Sequence, residues 1–161
     1  MVTVAIVGVL TTIAIPRVMS YRVRALQSEA KTHLGFIAKG EHAYYAERDA
    51  YTDDLGALSV EINGAPRYLY GFTTDATPTP SGRNDTAELK AAVGGSYDTV
   101  QMIDAFGVLL SQSDLPTAPV TATSFRLGAV GNADFDPVLD QWTIDEDGIL
   151  INVTNDMDDG L

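Results

Sequence analysis

The chain opens on fifteen residues, Met1 to Ile15, that carry no charge and only three polar side chains, Thr3, Thr11 and Thr12. A helix resting on a soluble core would show a polar side about every 3.6 residues, and this run shows none. Its surroundings must therefore be apolar all round. As a helix it reaches about 22 Å. A bilayer core is roughly 30 Å thick, so the run as written is too short to span alone. Three readings compete: a shortened membrane or filament helix, a cleaved secretory signal, and a buried helix of a soluble domain. Met1 and Val2 supply no basic start for a signal, although Thr12-Ile13-Ala14 resembles a poor cleavage site. Gly8 and Pro16 both weaken a helix, by about 1 and about 3 kcal/mol, so the stretch between them is expected to open locally.

Past Pro16 the pattern changes. Met19, Val23, Leu26, Ala30, Leu34, Ile37 and Tyr44 recur three, four or seven apart, which is one helical stripe. Arg24, Gln27, Lys31, Lys39 and Glu47 fall mostly off it. This half of the helix is expected to pack on a soluble head, with Gly40 permitting close approach of another segment. Arg17, Arg22 and Arg24 follow the apolar run directly. They read as interfacial anchors or as a solvated helix face.

The rest reads as β-rich. Asp53, Asp54 and Gly56 end the helical region. Tyr68 to Phe72 is an aromatic strand candidate, and Ser124 to Val130 alternates weakly as another. The segment from 98 to 110 is apolar enough for one or two strands. Thr73 to Gly82 and Ser113 to Thr123 read as loops. Gln141 to Ile144 and Ile149 to Val153 flank Asp145-Glu146-Asp147-Gly148, a strong hairpin signal. Period two then predicts that Trp142 and Ile144 face inward together with Ile149, Ile151 and Val153. The expected fold class is α+β: a long N-terminal helix, apolar then amphipathic, packed on a C-terminal antiparallel sheet. The expected division is residues 1–16 as the apolar segment, 17–50 as the amphipathic helix and 51–161 as the head.

Charge changes the picture at the level of function. The formal net charge is −12 over 161 residues, so the surface repels phosphate and no specific nucleic-acid partner is expected. The distribution is uneven. Up to Arg48 there are six bases and three acids; after Arg126 there are nine acids and no base. A basic neck beside a membrane and an acidic, solvated far end fit this asymmetry. There is no cysteine, which excludes disulfides and thiolate metal sites.

Candidate chemistry is thin. His33 and His42 are nine apart, which is not the spacing of a zinc pair. Phe36, Tyr44, Tyr45 and Tyr51 read as packing contacts. The turn at Asp145 to Gly148 has a glycine where a calcium loop wants one, but Thr143 stands where the first acidic ligand belongs and Thr154 where the closing glutamate does. Two sequons, at Asn84 and Asn152, carry little weight. No nucleophile elbow or phosphate loop occurs. No catalytic, cofactor or metal residue is assigned, and an enzyme is not expected.

The block Met1-Val2-Thr3-Val4-Ala5-Ile6-Val7-Gly8-Val9-Leu10-Thr11-Thr12-Ile13-Ala14-Ile15-Pro16 resembles the N-terminal block of type IV pilins and of type II secretion pseudopilins, from its methionine onward. The match includes the spacing of Gly8 and Pro16. Gln27 to Thr32, Tyr44 to Tyr51, and Gly131 to Asp134 with Asp140, Trp142 and Ile144 also look like major pilins; the middle of the chain does not. The family's basic leader, Gly-Phe processing site and buried glutamate have no counterpart here, so the sequence as written is expected neither to be processed nor to assemble.

The resemblance implies a helical homopolymer in which Val4, Ile6, Val7, Gly8, Val9, Leu10, Ile13, Ile15 and Pro16 form the filament core and Arg17, Arg22 and Arg24 the neck. It further implies methylation, a transmembrane stage in the bacterial inner membrane with lipid and the pilus assembly machinery as partners, and then an extracellular pilus serving twitching motility or adhesion. No cofactor follows from it. The alternatives are a secretion pseudopilin and a membrane-anchored, exported binding protein.

Overall fold

The computed structural model describes residues 2–58, 60, 67–73, 110, 112–133 and 137–156; among the first twenty, side-chain surroundings are described at Thr3, Val4, Ile6, Val7 and Gly8. The apolar run and the amphipathic stripe form one helix, α1 (Val2–Arg48). It ends where Asp49 turns left-handed, with φ 58°, and its N–H still donates to the Tyr45 carbonyl at 2.8 Å. A carboxylate residue can hold this C-terminal conformation, although glycine does so at lower cost. A single 3-10 turn follows (Leu55–Leu58).

Four strands make one antiparallel sheet in the order β1 (Tyr68–Gly71), β2 (Arg126–Gly131), β3 (Asp140–Asp145), β4 (Leu150–Thr154). The fold is α+β, with α1 against one face of the sheet. Ala30, Leu34, Ile37 and Ala38 of the helix join Leu127, Ala129, Val130, Trp142 and Ile144 in one buried cluster. The stripe from Val23 to Ile37 therefore packs as its spacing predicts. Gly40 is needed where it stands: a Cβ there would sit 2.5 Å from Val60 Cγ2 and 3.3 Å from Leu58 Cβ.

The sheet is not covered evenly. β1 is buried on both faces, and β2 at every residue but Arg126. The segment that crosses β2 on the side away from α1 brings Ala118 Cβ and Pro116 Cδ to 3.2 and 3.3 Å of where a Gly128 Cβ would lie. β4 alternates, with one side in and one side out.

That alternation corrects the hairpin reading. Ile149, Ile151 and Val153 are exposed, whereas Trp142 and Ile144 are buried. The register pairs Ile144 with Leu150 and Trp142 with Asn152. A two-residue turn at Glu146 and Asp147 would have paired Ile144 with Ile149. Instead Gly148 takes φ 75°, its N–H donates to the Asp145 carbonyl at 2.9 Å, and Asp145 N–H reaches back to the Ile149 carbonyl at 3.4 Å. The left-handed glycine adds one residue to the turn. A one-residue slip sends every following side chain to the other face.

Two further expectations change. Phe36 is half exposed, so it is not a core contact, because it lies on the side of α1 opposite the stripe. Gln27 is buried rather than off the packed face. The strand candidates between 98 and 109 and most of the 73–82 loop lie outside the described residues.

Candidate assembly surfaces and the helix–head junction

Four of the predicted assembly residues have described surroundings, and the three that carry side chains face outward: Val4, Ile6 and Val7 are 73%, 54% and 60% exposed. An isolated apolar side chain at the surface is ordinary, but this set sits in a run with no charge for fifteen residues. Gly8 also faces outward. For Val9, Leu10, Ile13, Ile15, Pro16 and Arg17 the backbone is helical and the side chains lie outside the description. α1 runs unbroken across Gly8 and Pro16, so the local opening expected between them is not present here. The helix tolerates Pro16 with the loss of one backbone hydrogen bond.

Arg22 and Arg24 are exposed, as a neck would require. They also bound the apolar run. Among the described residues, no helix has a stretch long and apolar enough to cross a membrane. The transmembrane helix implied by the resemblance is thus not met by them, because the arginines that begin at Arg17 cut the uncharged run too short.

The helix is fixed to the sheet by a buried carboxylate. Asp140, at the start of β3, is fully buried. Its Oδ2 accepts from the Tyr68 hydroxyl at 2.6 Å and from Trp142 Nε1 at 2.6 Å. Its Oδ1 accepts from Gln27 Nε2 at 3.2 Å and Asn152 Nδ2 at 3.3 Å. Four donors from α1, β1, β3 and β4 thus converge on one side chain, which is how an acid can remain buried at tolerable cost. Burial, and then the adjacent Asp140 charge, push the Tyr68 phenol well above its usual range. Gln27 also donates to Asn155 Oδ1 at 2.9 Å, and the Lys31 ammonium lies 4.4 Å from the Trp142 ring centre. The signal for Asp140 was in the sequence: it shares the period-two face of Trp142 and Ile144.

A second tie uses Glu29 and His33, one turn apart on α1. Glu29 Oε1 accepts the Arg67 N–H at 2.9 Å, and His33 Nδ1 lies 3.0 Å from the Tyr70 hydroxyl. Burial lowers the His33 pKa and the Glu29 charge partly offsets it. Near the helix end Glu41 is fully buried, with only Oε2 bonded, to the Thr52 N–H at 3.2 Å; Oε1 has no partner, nor has Oδ1 of the buried Asp53. Burial pushes the Glu41 carboxyl up to about 8; the Thr52 bond pulls the other way and the Asp53 charge adds to the rise. Nothing in the stripe pattern marks Glu41 as acidic and buried except its position, four residues beyond Ile37 on the packed side.

These groups do structural work. Asp145 Oδ1 accepts the Ile149 N–H at 2.8 Å and holds the hairpin turn, while Glu146 Oε2 accepts the Phe125 N–H at 3.3 Å and ties that turn to the start of β2. His42 packs edge-on to Tyr51 and Phe125. Among the described residues, no three His, Asp or Glu side chains gather to hold a metal.

No family model matches the chain. The type IV major pilin protein PilA of Myxococcus xanthus (strain DK1622) is 28% identical to it over 165 residues, which cover 89% of this chain and 75% of that protein.

Proposed function

We propose that this type IV pilin-like chain is a structural subunit of a type IV pilus, polymerising through the apolar first half of α1 and carrying its sheet as an outer head. The observation that carries the reading is the division of one continuous helix. Its second half is buried against a sheet, while its first half projects Val4, Ile6 and Val7 outward with no charge to solvate them. A surface of that kind is stabilised by about 25 cal/mol for each Å² it hides from water. Copies of the same helix offer the cover. The similarity to a major pilin over 89% of the chain supports the same conclusion.

On this reading Val4, Ile6, Val7, Gly8, Val9, Leu10, Ile13, Ile15 and Pro16 lie in the filament core. Arg17, Arg22 and Arg24 form the neck, which lies at the lipid headgroups before assembly. The bilayer and the inner-membrane assembly machinery are the earlier partners and the homopolymer the later one. The pilus serves motility or adhesion. The chain acts mechanically, and its buried acids belong to packing rather than to chemistry.

The test is electron microscopy of cells that express the gene, labelled with antibody raised against the head. Labelled surface filaments that vanish when the gene is deleted are expected. Antibody confined to the cell body, with any filaments unlabelled and unaffected by the deletion, overturns the proposal.

A further inference from the structure

The two edges of the sheet differ. β1 forms one edge and is buried at every residue. β4 forms the other, and it is open. Ile149, Ile151 and Val153 are 54%, 49% and 52% exposed on the face away from α1. Leu150 and Asn152, which turn toward the helix side, are themselves only half-buried, although Asp140, Trp142 and Ile144 of the neighbouring β3 are buried. Cover on the helix side therefore stops at β3.

An edge strand presents a row of unpaired backbone N–H and C=O groups, which proteins usually blunt with a charge, a proline or a bulge. β4 reads Leu-Ile-Asn-Val-Thr, with no charge and no proline. Its irregularity, a register shift opposite Gln141 and Trp142, falls at the Val153 end and leaves Ile149 to Asn152 regular. Asp145 N–H donates to the Ile149 carbonyl. In the antiparallel alternation the backbone groups of Ile149 and Ile151 then turn to β3, and those of Leu150 and Asn152 turn to the open side.

Charge says what fits there. The uncharged strand is bracketed by acids: Asp145, Glu146 and Asp147 come before it, and Asp156, Asp158 and Asp159 after it. A second β4 is a poor partner. Side by side and antiparallel, each strand brings its acidic turn to the acids that follow the other; parallel, the two turns meet. Like charges so placed repel. Elsewhere among the described residues, the bases lie on α1, whose backbone is already bonded, at Arg67 beside the buried β1, and on Arg126 of the central strand β2. No described segment of another copy offers an extended strand with basic ends.

We propose that β4 is a docking edge for an extended segment of a different protein, apolar at alternate positions and carrying Lys or Arg at its ends. The segment adds a fifth strand. Its backbone pairs with Leu150 and Asn152, its apolar side chains cover Ile149 and Ile151, and its bases meet the acids at either end.

The probe is the synthetic peptide Lys-Thr-Ile-Thr-Val-Thr-Ile-Lys, N-methylated along one edge so that it cannot stack on itself. It is titrated into the purified full-length chain in detergent, with binding read by anisotropy of the labelled peptide and by residue-resolved amide hydrogen exchange. The expected result is binding that salt weakens, with new protection at the Leu150 and Asn152 amides and none at Ile151, which already faces β3. The same peptide with Glu at both ends, and the I151K chain with the original peptide, should each bind about tenfold more weakly or worse. Three results overturn the proposal: no binding, binding without new protection at Leu150 and Asn152, and equal binding by the Glu-ended peptide or by one methylated along both edges. Protection of those two amides that rises with protein concentration, without peptide, overturns it in favour of a second copy. If I151K loses its Trp142 fluorescence, exchange on the wild-type chain decides alone. None of these readouts needs a filament, so failure here leaves the filament reading standing.

Discussion

Replacing Glu41 by glutamine tests the helix–head junction where its electrostatics are most exposed to measurement. The folded chain holds the Glu41 proton up to about pH 8, because the side chain is fully buried and has one hydrogen bond, with Asp53 nearby. An unfolded chain releases that proton near its ordinary value of 4.5. The folded state therefore binds more protons between those values, and its stability falls as pH rises. The contribution is complete below about 4.5 and lost by the time pH passes 8. The gap, at about 1.4 kcal/mol per pH unit, corresponds to roughly 5 kcal/mol. Water reaching the ionised carboxylate reduces this, so about 2–5 kcal/mol is expected. Glutamine has the same shape, accepts from the Thr52 N–H and never ionises. The E41Q chain should match the wild type near pH 4.5 and exceed it by that amount at pH 8.5. Urea unfolding in detergent, followed by the fluorescence of the buried and sole tryptophan, Trp142, gives both numbers. A difference between the two chains that does not change with pH would show that Glu41 is not the buried, protonated acid described.

Two other substitutions probe the same packing. D140N strands donors that now converge on one carboxylate, Tyr68 and Trp142 among them; each buried donor left unpaired costs about 1–3 kcal/mol, so a loss above 3 kcal/mol in urea unfolding is expected. I144A and I151S differ by side of the sheet: the first opens a hole in the buried cluster and costs about 2–5 kcal/mol, while the second lies on the exposed side of β4 and stays within about 0.5 kcal/mol of wild type. Equal effects for that last pair would contradict the register.

How much of this was legible in the sequence depends on the length of the pattern. The helix was readable because stripes three and four apart persist from Val23 to Ile37, and because fifteen uncharged residues precede them. The pairing of β3 with β4 was readable from Asp-Gly between two β-rich runs. Its register was not, because Gly148 adds one residue to the turn through its backbone conformation, which composition does not specify. The same slip moved Ile149, Ile151 and Val153 from the expected core to the surface. Phe36 departs for a different reason: its aromatic ring suggests a packing contact, but the stripe spacing puts it on the far side of the helix. Asp140, Gln27 and Glu41 are not legible because a polar residue on an inward position reads as an exception until its partners are known; Asp140 finds Tyr68 and Gln27 at 72 and 113 residues' distance in the chain, and Glu41 finds the Thr52 N–H just past the helix end. The proposed assembly surface rests on composition, a run without charge, and the structure adds that Val4, Ile6 and Val7 are exposed.

The claim beneath the proposed function is that the first half of α1 stays apolar because other copies must surround it. A single charge there, I6D, cannot be solvated inside such a bundle and does not touch the head. The decisive measurement is the amount of this chain in filaments sheared from cells, I6D against wild type, with both proteins accumulating to equal levels in the cell. The account predicts that I6D leaves the sheared fraction empty while Trp142 fluorescence of the purified protein reports an unchanged head. Filaments of I6D in wild-type amounts would contradict it.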